Sequence, residues 1–202
     1  MPDYKYEREA LSQGYKIIAG TDEAGRGPLA GPVYAAAVIL PDGLEIEGLD
    51  DSKKLTEKKR DVLFDIICEK AISYAIAFST VEEIDELNIL NASQLAMRRA
   101  VDKLSPKPDY VIVDGNVARD FPMKTIKLIK GDSLSTSVAA ASILAKVSRD
   151  RYCAVMDEQY PEYEFLKHKG YGTALHMQKI REFGVSPVHR KTFMGFLSKE
   201  KK

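Results

Sequence analysis

The sequence predicts an α/β fold, and three observations carry that prediction. Five short apolar, partly β-branched stretches, at residues 16–23, 31–40, 72–79, 110–113 and 125–129, have the length and composition of strands. Helical patterns, several of them 13 residues or longer, lie between and after them. Pro41-Asp42-Gly43 and Ser105-Pro106-Lys107-Pro108 break the chain where a strand or helix should end.

Residues 3–12 read as a short amphipathic helix ended by Gly14. Residues 16–23 are the first strand, and it runs into Asp22-Glu23 and the turn Gly25-Arg26-Gly27. The connection to the second strand holds two glycines and a proline, so the two strands are expected to pair antiparallel with that turn at the tip. After a loop through Asp51-Ser52-Lys53-Lys54-Leu55, Thr56 is placed to cap a helix over residues 57–70. Strand three is followed by Thr80-Val81-Glu82-Glu83, a helix start, and by helical pieces near residues 81–87 and 92–104. Tyr110-Val111-Ile112-Val113 has the continuous β-branched character of a strand buried on both faces, and it ends at Asp114-Gly115-Asn116. The fifth strand leads to Lys130-Gly131-Asp132-Ser133 and then to a long helix over residues 134–156. Its small residues Ser137, Ala139, Ala140, Ala141, Ser142 and Ala145 would let it pack closely on a sheet. The tail contains a glycine-flanked aromatic loop at His168-Lys169-Gly170-Tyr171-Gly172-Thr173, a helix over 174–183, and a basic turn at 186–193 into a last helix; Lys199 to Lys202 reads as a frayed end.

Composition narrows the function. The 202 residues, 45% of them hydrophobic, suit a single domain with a sizeable core. Net charge is zero, yet residues 1–100 carry 12 Lys+Arg against 18 Asp+Glu while residues 101–202 carry 18 against 12. That asymmetry allows a basic surface beside an acidic one. Cys68 and Cys153 are too few for a Cys-rich zinc site or a disulfide framework, which fits a reducing cytoplasm. No basic-then-apolar leader is recognised, and the apolar runs are too short to span a bilayer, so no membrane association is expected.

Each acidic position has an ordinary reading by itself: Asp22 and Glu23 as a strand end, Asp114 as a turn residue, Asp132 as the N-cap of the long helix. Together they read differently. Ligands of open α/β sheets gather at strand ends, so Asp114 and Asp132 can approach Asp22 and Glu23. Four converging carboxylates repel one another and suit hard Mg²⁺ or Mn²⁺ rather than zinc. Two such ions, roughly 3.5 to 4 Å apart, can activate water and stabilise the leaving oxygen of a phosphodiester. His168, His176 and His189 lack the sequence spacing of a metal site and are not expected to be ligands.

Six segments in order resemble the type 2 ribonucleases H, most closely the bacterial ribonuclease HII family. They are Gly20-Thr21-Asp22-Glu23-Ala24-Gly25-Arg26-Gly27-Pro28, Asp51-Ser52-Lys53-Lys54-Leu55, Val113-Asp114-Gly115, Lys130-Gly131-Asp132, the run from Ala141 through Ser142 and Lys146 to Asp150, and the Tyr171 loop. The resemblance implies a ribonuclease H-like fold: a central mixed five-stranded sheet flanked by helices, with a catalytic core near residues 15–160 and a C-terminal helical extension near 161–202 that contributes to substrate binding. It implies cleavage of RNA in RNA–DNA hybrids, and of duplex DNA at embedded ribonucleotides, leaving 5′-phosphate and 3′-hydroxyl ends. Asp22, Glu23, Asp114 and Asp132 would be catalytic and hold two divalent ions, Gly25, Arg26 and Gly27 would read a 2′-hydroxyl, and Tyr171 would pack on the adjacent sugar. Ser52, Lys53, Lys54, Lys146 and Arg190 are candidates for substrate contact.

A monomer is expected, and contact with a sliding clamp is not readable. Competing readings are an actin-like ATP-binding domain and a non-catalytic nucleic-acid clamp. Within the resemblance, ribonuclease HIII usually carries an added N-terminal domain, not expected here, and a lysine where Arg26 stands.

Overall fold

A computed structural model describes residues 1–197. The expectation for Lys199 to Lys202 lies outside the described residues. Strands β1 (Ile18–Ala24), β2 (Val33–Ile39), β3 (Ser73–Ser79), β4 (Tyr110–Asp114) and β5 (Lys124–Leu128) form one mixed sheet in the order β3-β2-β1-β4-β5. β1 pairs antiparallel with β2 and parallel with β4, and β5 continues the parallel half. The register sets Thr21 beside Val113, so the next residues of these neighbouring strands are Asp22 and Asp114.

Helix α1 (Lys5–Ser12) ends near Gly14, whose φ of 96° only glycine adopts readily. Thr56 caps α2 (Glu57–Lys70) by accepting from the Lys59 N–H. The two helical pieces after β3 are joined as α3 (Val81–Asp102), with a kink at Asn88 (φ 65°). Thr80 and Glu83 close a capping box on the first piece, and the Asn88 side chain accepts from Leu90 and Asn91 to restart the second.

The long helix α4 (Thr136–Gln159) crosses the sheet closely because both surfaces are small: a Cβ on Gly20 would lie 2.4 Å from the Ser137 carbonyl carbon. Ala139, Ala140, Ala141 and Ala145 fill this contact, while α3 covers the opposite face. Ser135, not Asp132, caps α4; the carboxylate predicted as the cap lies one turn earlier, inside the 3-10 turn Gly131–Ser133. Its freedom from capping leaves it available to the sheet rim.

The tail folds as α5 (Phe165–His168), α6 (Ala174–Phe183) and a 3-10 turn Lys191–Phe193 around Tyr163, Phe165, Ile180 and Met156 of α4. The basic turn at 186–193 ends in that 3-10 turn, whose N–H groups at Lys191 and Thr192 are held by Asp85 of α3; the helix expected after it falls largely outside the described residues. Among the described residues no helix is long and apolar enough to cross a membrane.

Candidate active site

The rim at the ends of β1 and β4 is acidic. Asp22 is almost wholly buried on the α4 side of the sheet, where the Ser142 hydroxyl partly offsets the rise in its pKa; its Oδ1 accepts from the Glu23 N–H at 2.7 Å. Successive residues of a strand face opposite ways, so Glu23 turns instead toward Arg26, whose Nη1 lies 3.4 Å from Oε1. Asp114 accepts from the Gly131 N–H at 2.6 Å, which ties the end of β4 to the turn bearing Asp132.

Burial, with Glu23 and Asp114 close by, raises the Asp22 pKa well above the carboxylate norm. Burial and Asp114 raise Glu23 against the pull of Arg26. Asp132 is raised by burial, Asp114 and Asp51. Lys53 reaches in with Nζ 3.6 Å from Asp132 Oδ2; burial works against its charge, yet Asp132, Asp22, Asp51 and Asp114 hold its pKa above the usual lysine value.

The four predicted carboxylates therefore share one field. Among the described residues no three carboxylate, imidazole or thiol groups stand at single-ion spacing. The donor chemistry nevertheless suits a hard divalent cation: four carboxylates, three of them pushed toward protonation by burial and by each other, face two cationic side chains.

Beside the rim stands the Gly-Arg-Gly turn. Gly25 has φ 102°, and a Cβ there would fall 2.3 Å from Arg149 Nε, so both backbone and neighbour require glycine. Arg26 and Gly27 are exposed. A Cβ on Gly27 would meet the Tyr171 ring at 3.4 Å, so the exposed tyrosine adjoins the turn as the two motifs suggested. The Arg149 guanidinium lies 5.7 Å from that ring and donates to the Lys169 carbonyl at 2.8 Å.

Several basic candidates stand elsewhere than free phosphate contacts would. Arg190 is fully buried, with Nε, Nη1 and Nη2 on the carbonyls of Gly31, Arg26 and Gly25. It holds the turn from beneath and does not face solvent. The Ser52 hydroxyl is buried against Ser142. Lys54 pairs with Asp50 at 3.1 Å, and Lys146 with the buried Asp150 at 2.6 Å. Of these side chains, Lys53 alone points into the rim. The residues that sequence reasoning passed over are Arg149, Asp51 and Arg60. Arg60 donates to the carbonyls of Ser52 and Leu55 and so fixes the loop that carries Lys53. Arg149 lay inside a quoted motif, but no local pattern signalled that it would be buried.

The histidines form a cluster that their sequence spacing does not suggest. Though distant in sequence, they meet: the His168 and His176 rings stack at 4.2 Å, and His176 Nε2 is 3.1 Å from His189 Nε2. Ser186 N–H donates to His189 Nδ1, which leaves the His189 Nε2–H to donate to His176, whose Nδ1–H donates to the Tyr171 carbonyl. His168 accepts from Gly170 and donates to Tyr163. Every ring nitrogen is satisfied in the neutral form.

The Ribonuclease HII family model matches residues 19–195. The chain belongs to the ribonuclease HII family. It is 54% identical over 188 residues to ribonuclease HII of Acetivibrio thermocellus, covering 93% of this chain and 73% of that one. With the Marinomonas ribonuclease HII it shares 58% identity over 178 residues, 88% of this chain and 89% of that. The crystal structure of ribonuclease H2 from Pyrococcus horikoshii superposes with TM-score 0.72 at 29% identity, covering 88% of this chain and 93% of the other. Ribonuclease HII from Archaeoglobus fulgidus, solved in complex with PCNA, gives 0.73 at 25% identity over 87% and 94%. A nuclease of ribonuclease H fold is thus shown, and membership sets the actin-like reading aside.

Proposed function

We propose that the protein is a divalent-metal-dependent endoribonuclease that cuts the RNA strand of RNA–DNA hybrids, and duplex DNA beside embedded ribonucleotides, leaving 5′-phosphate and 3′-hydroxyl ends. The observation that carries the reading is the convergence of Asp22, Glu23, Asp114 and Asp132 on one rim immediately beside an exposed Gly-Arg-Gly turn and Tyr171. Those four carboxylates would hold Mg²⁺ or Mn²⁺. Bound there, a pair of such ions supplies an activated water and charge stabilisation at the leaving oxygen.

The protein's own residues do the rest. Lys53 brings a positive charge to the edge of the acidic rim, where an incoming phosphodiester needs one. Exposed backbone at Arg26 and Gly27 can approach a 2′-hydroxyl, the one group that separates RNA from DNA at a given site. Tyr171 presents a ring face for the neighbouring deoxyribose, and an added hydroxyl there would be crowded. Incubation with Mg²⁺ or Mn²⁺ and a DNA duplex carrying one ribonucleotide tests the reading. Cleavage beside the ribonucleotide is expected, with no cleavage of the all-DNA duplex; an uncut ribonucleotide duplex in both metals would sink it.

A further inference from the structure

We propose that Arg190 is a positioning residue for substrate discrimination: from beneath the Gly-Arg-Gly turn it fixes the orientation of two peptide planes, so that the N–H groups of Arg26 and Gly27 face the substrate. The proposal rests on the reading that this turn recognises a 2′-hydroxyl.

Arg190 Nη2 donates to the Gly25 carbonyl at 2.6 Å and Nη1 to the Arg26 carbonyl at 2.9 Å. A trans peptide is planar, with its C=O and N–H pointing opposite ways. Drawing these two carbonyls inward therefore turns the Arg26 and Gly27 N–H groups outward. Neither N–H has a hydrogen-bond partner among the described residues, and both residues are exposed. Two adjacent unpaired N–H donors form a concavity suited to an oxygen.

The guanidinium is itself held in place. Its Nε donates to Gly31 at 2.9 Å, its own N–H donates to Leu29, and Gly31 N–H returns a bond to Val188. Phe193 lies 5.1 Å from the guanidinium carbon. Among the described residues no carboxylate forms an ion pair with Arg190. A buried arginine spent on three main-chain carbonyls of one connection is more than packing asks for, since an unpaired buried charge is costly. Lysine cannot reproduce the planar fork.

The test compares affinities in Ca²⁺, with fluorescently labelled duplexes that differ only in one ribonucleotide. Wild type is expected to prefer the ribonucleotide duplex; if it does not, the proposed function fails and Arg190 is not at issue. Given that preference, Arg190→Lys and Arg190→Met should reduce the ratio of the two affinities about tenfold while the all-DNA affinity changes less than about threefold. A folded variant that keeps the wild-type ratio overturns the proposal. Should both variants fail to fold, Phe193→Leu and amide hydrogen exchange decide. The Arg26 and Gly27 amides of the wild type should gain protection on binding the ribonucleotide duplex and not the all-DNA duplex, and Phe193→Leu should lower the ratio. Equal protection by both duplexes, or an unchanged ratio in Phe193→Leu, counts against it.

Discussion

The carboxylate rim and the joint beneath the Gly-Arg-Gly turn strain the folding economy in opposite senses. At the rim, burial and mutual repulsion push Asp22, Glu23 and Asp132 toward protonation, and Lys53 and Arg26 offset only part of the negative charge. At the joint, Arg149 and Arg190 are both almost wholly buried, and burial with Arg149 nearby lowers Arg190 to about 9. The joint resolves its charge internally, by hydrogen bonds to main-chain carbonyls. The rim does not: its carboxylates stay near enough to raise one another's pKa, and the bonds they accept leave that repulsion in place. A region satisfied by its own backbone is built to hold a shape; one left with excess like charge is built to receive a counter-charge.

The largest expected effect separates the two. Asp114→Asn, at the point where the fields of the other three carboxylates meet, should lower cleavage by at least about 100-fold in Mg²⁺ while leaving duplex affinity equal or tighter as negative charge falls. Arg26→Ala keeps the backbone N–H groups but removes the exposed guanidinium beside them, and should do the reverse, costing about tenfold in affinity for a ribonucleotide duplex through the loss of one cationic contact. Because Arg26 also lies 3.4 Å from Glu23, its removal should leave Mn²⁺ affinity unchanged or higher by calorimetric titration. Loss of Mn²⁺ binding in Arg26→Ala would erase the division between rim and turn. A smaller effect concerns stability. In chelator, Asp22→Asn should melt higher than wild type, by roughly 1 kcal/mol, because it removes a desolvated, repelled charge. Adding Mn²⁺ should then stabilise wild type and not the variant. A lower melting temperature for the metal-free variant would mean that Asp22 is held by attraction.

The rim was largely legible in the sequence and the joint was not, for a physical reason. Asp22 lies two residues before the end of β1, Asp114 ends β4 and Asp132 follows β5, and strand ends can be located from local apolar runs. The α/β class, the five strands and the antiparallel first pair follow from the same local signals and agree with the sheet. Asp132 as a helix cap failed because Ser135, three residues on, offers a competing oxygen. Arg190 lies more than 150 residues from the turn it clamps, and its burial depends on a pairing of residues 188–190 with 29–31 that no periodicity encodes. A basic residue is by default read as solvated surface or phosphate contact, so the same letter hid a structural role. The histidines were hidden likewise, by separations of 8 and 13 residues that look unpaired until α6 brings them together.

That histidine chain supplies the finest separation of the two regions, through the sign of their response to acid. Burial, with His168 close by, lowers His176 from 6.5 to about 4, and burial likewise brings His189 to about 4. Between those values the unfolded chain binds protons that the folded chain refuses, so the joint's contribution to stability is intact above 6.5 and falls as pH drops toward 4. Rim carboxylates with raised pKa act in the other direction, since the folded state takes up their protons first. Denaturant unfolding of the metal-free Asp22→Asn protein, in which the rim contributes less, should therefore show stability declining from pH 6.5 to 4. Burial lowers His168 as well, so adding His189→Gln should lessen that decline without abolishing it, because one of three refused protons is no longer at stake. In the same window the His176 bond to the Tyr171 carbonyl is lost on protonation only if His176 inverts its ring roles, since its Nδ1–H already donates and only Nε2 is open to a proton. Protonation should thus break the His176–His189 contact first, and the double variant should keep Tyr171 in place, with an unchanged ribonucleotide preference at pH 7. An undiminished slope in the double variant would show that the acid sensitivity lies outside the joint.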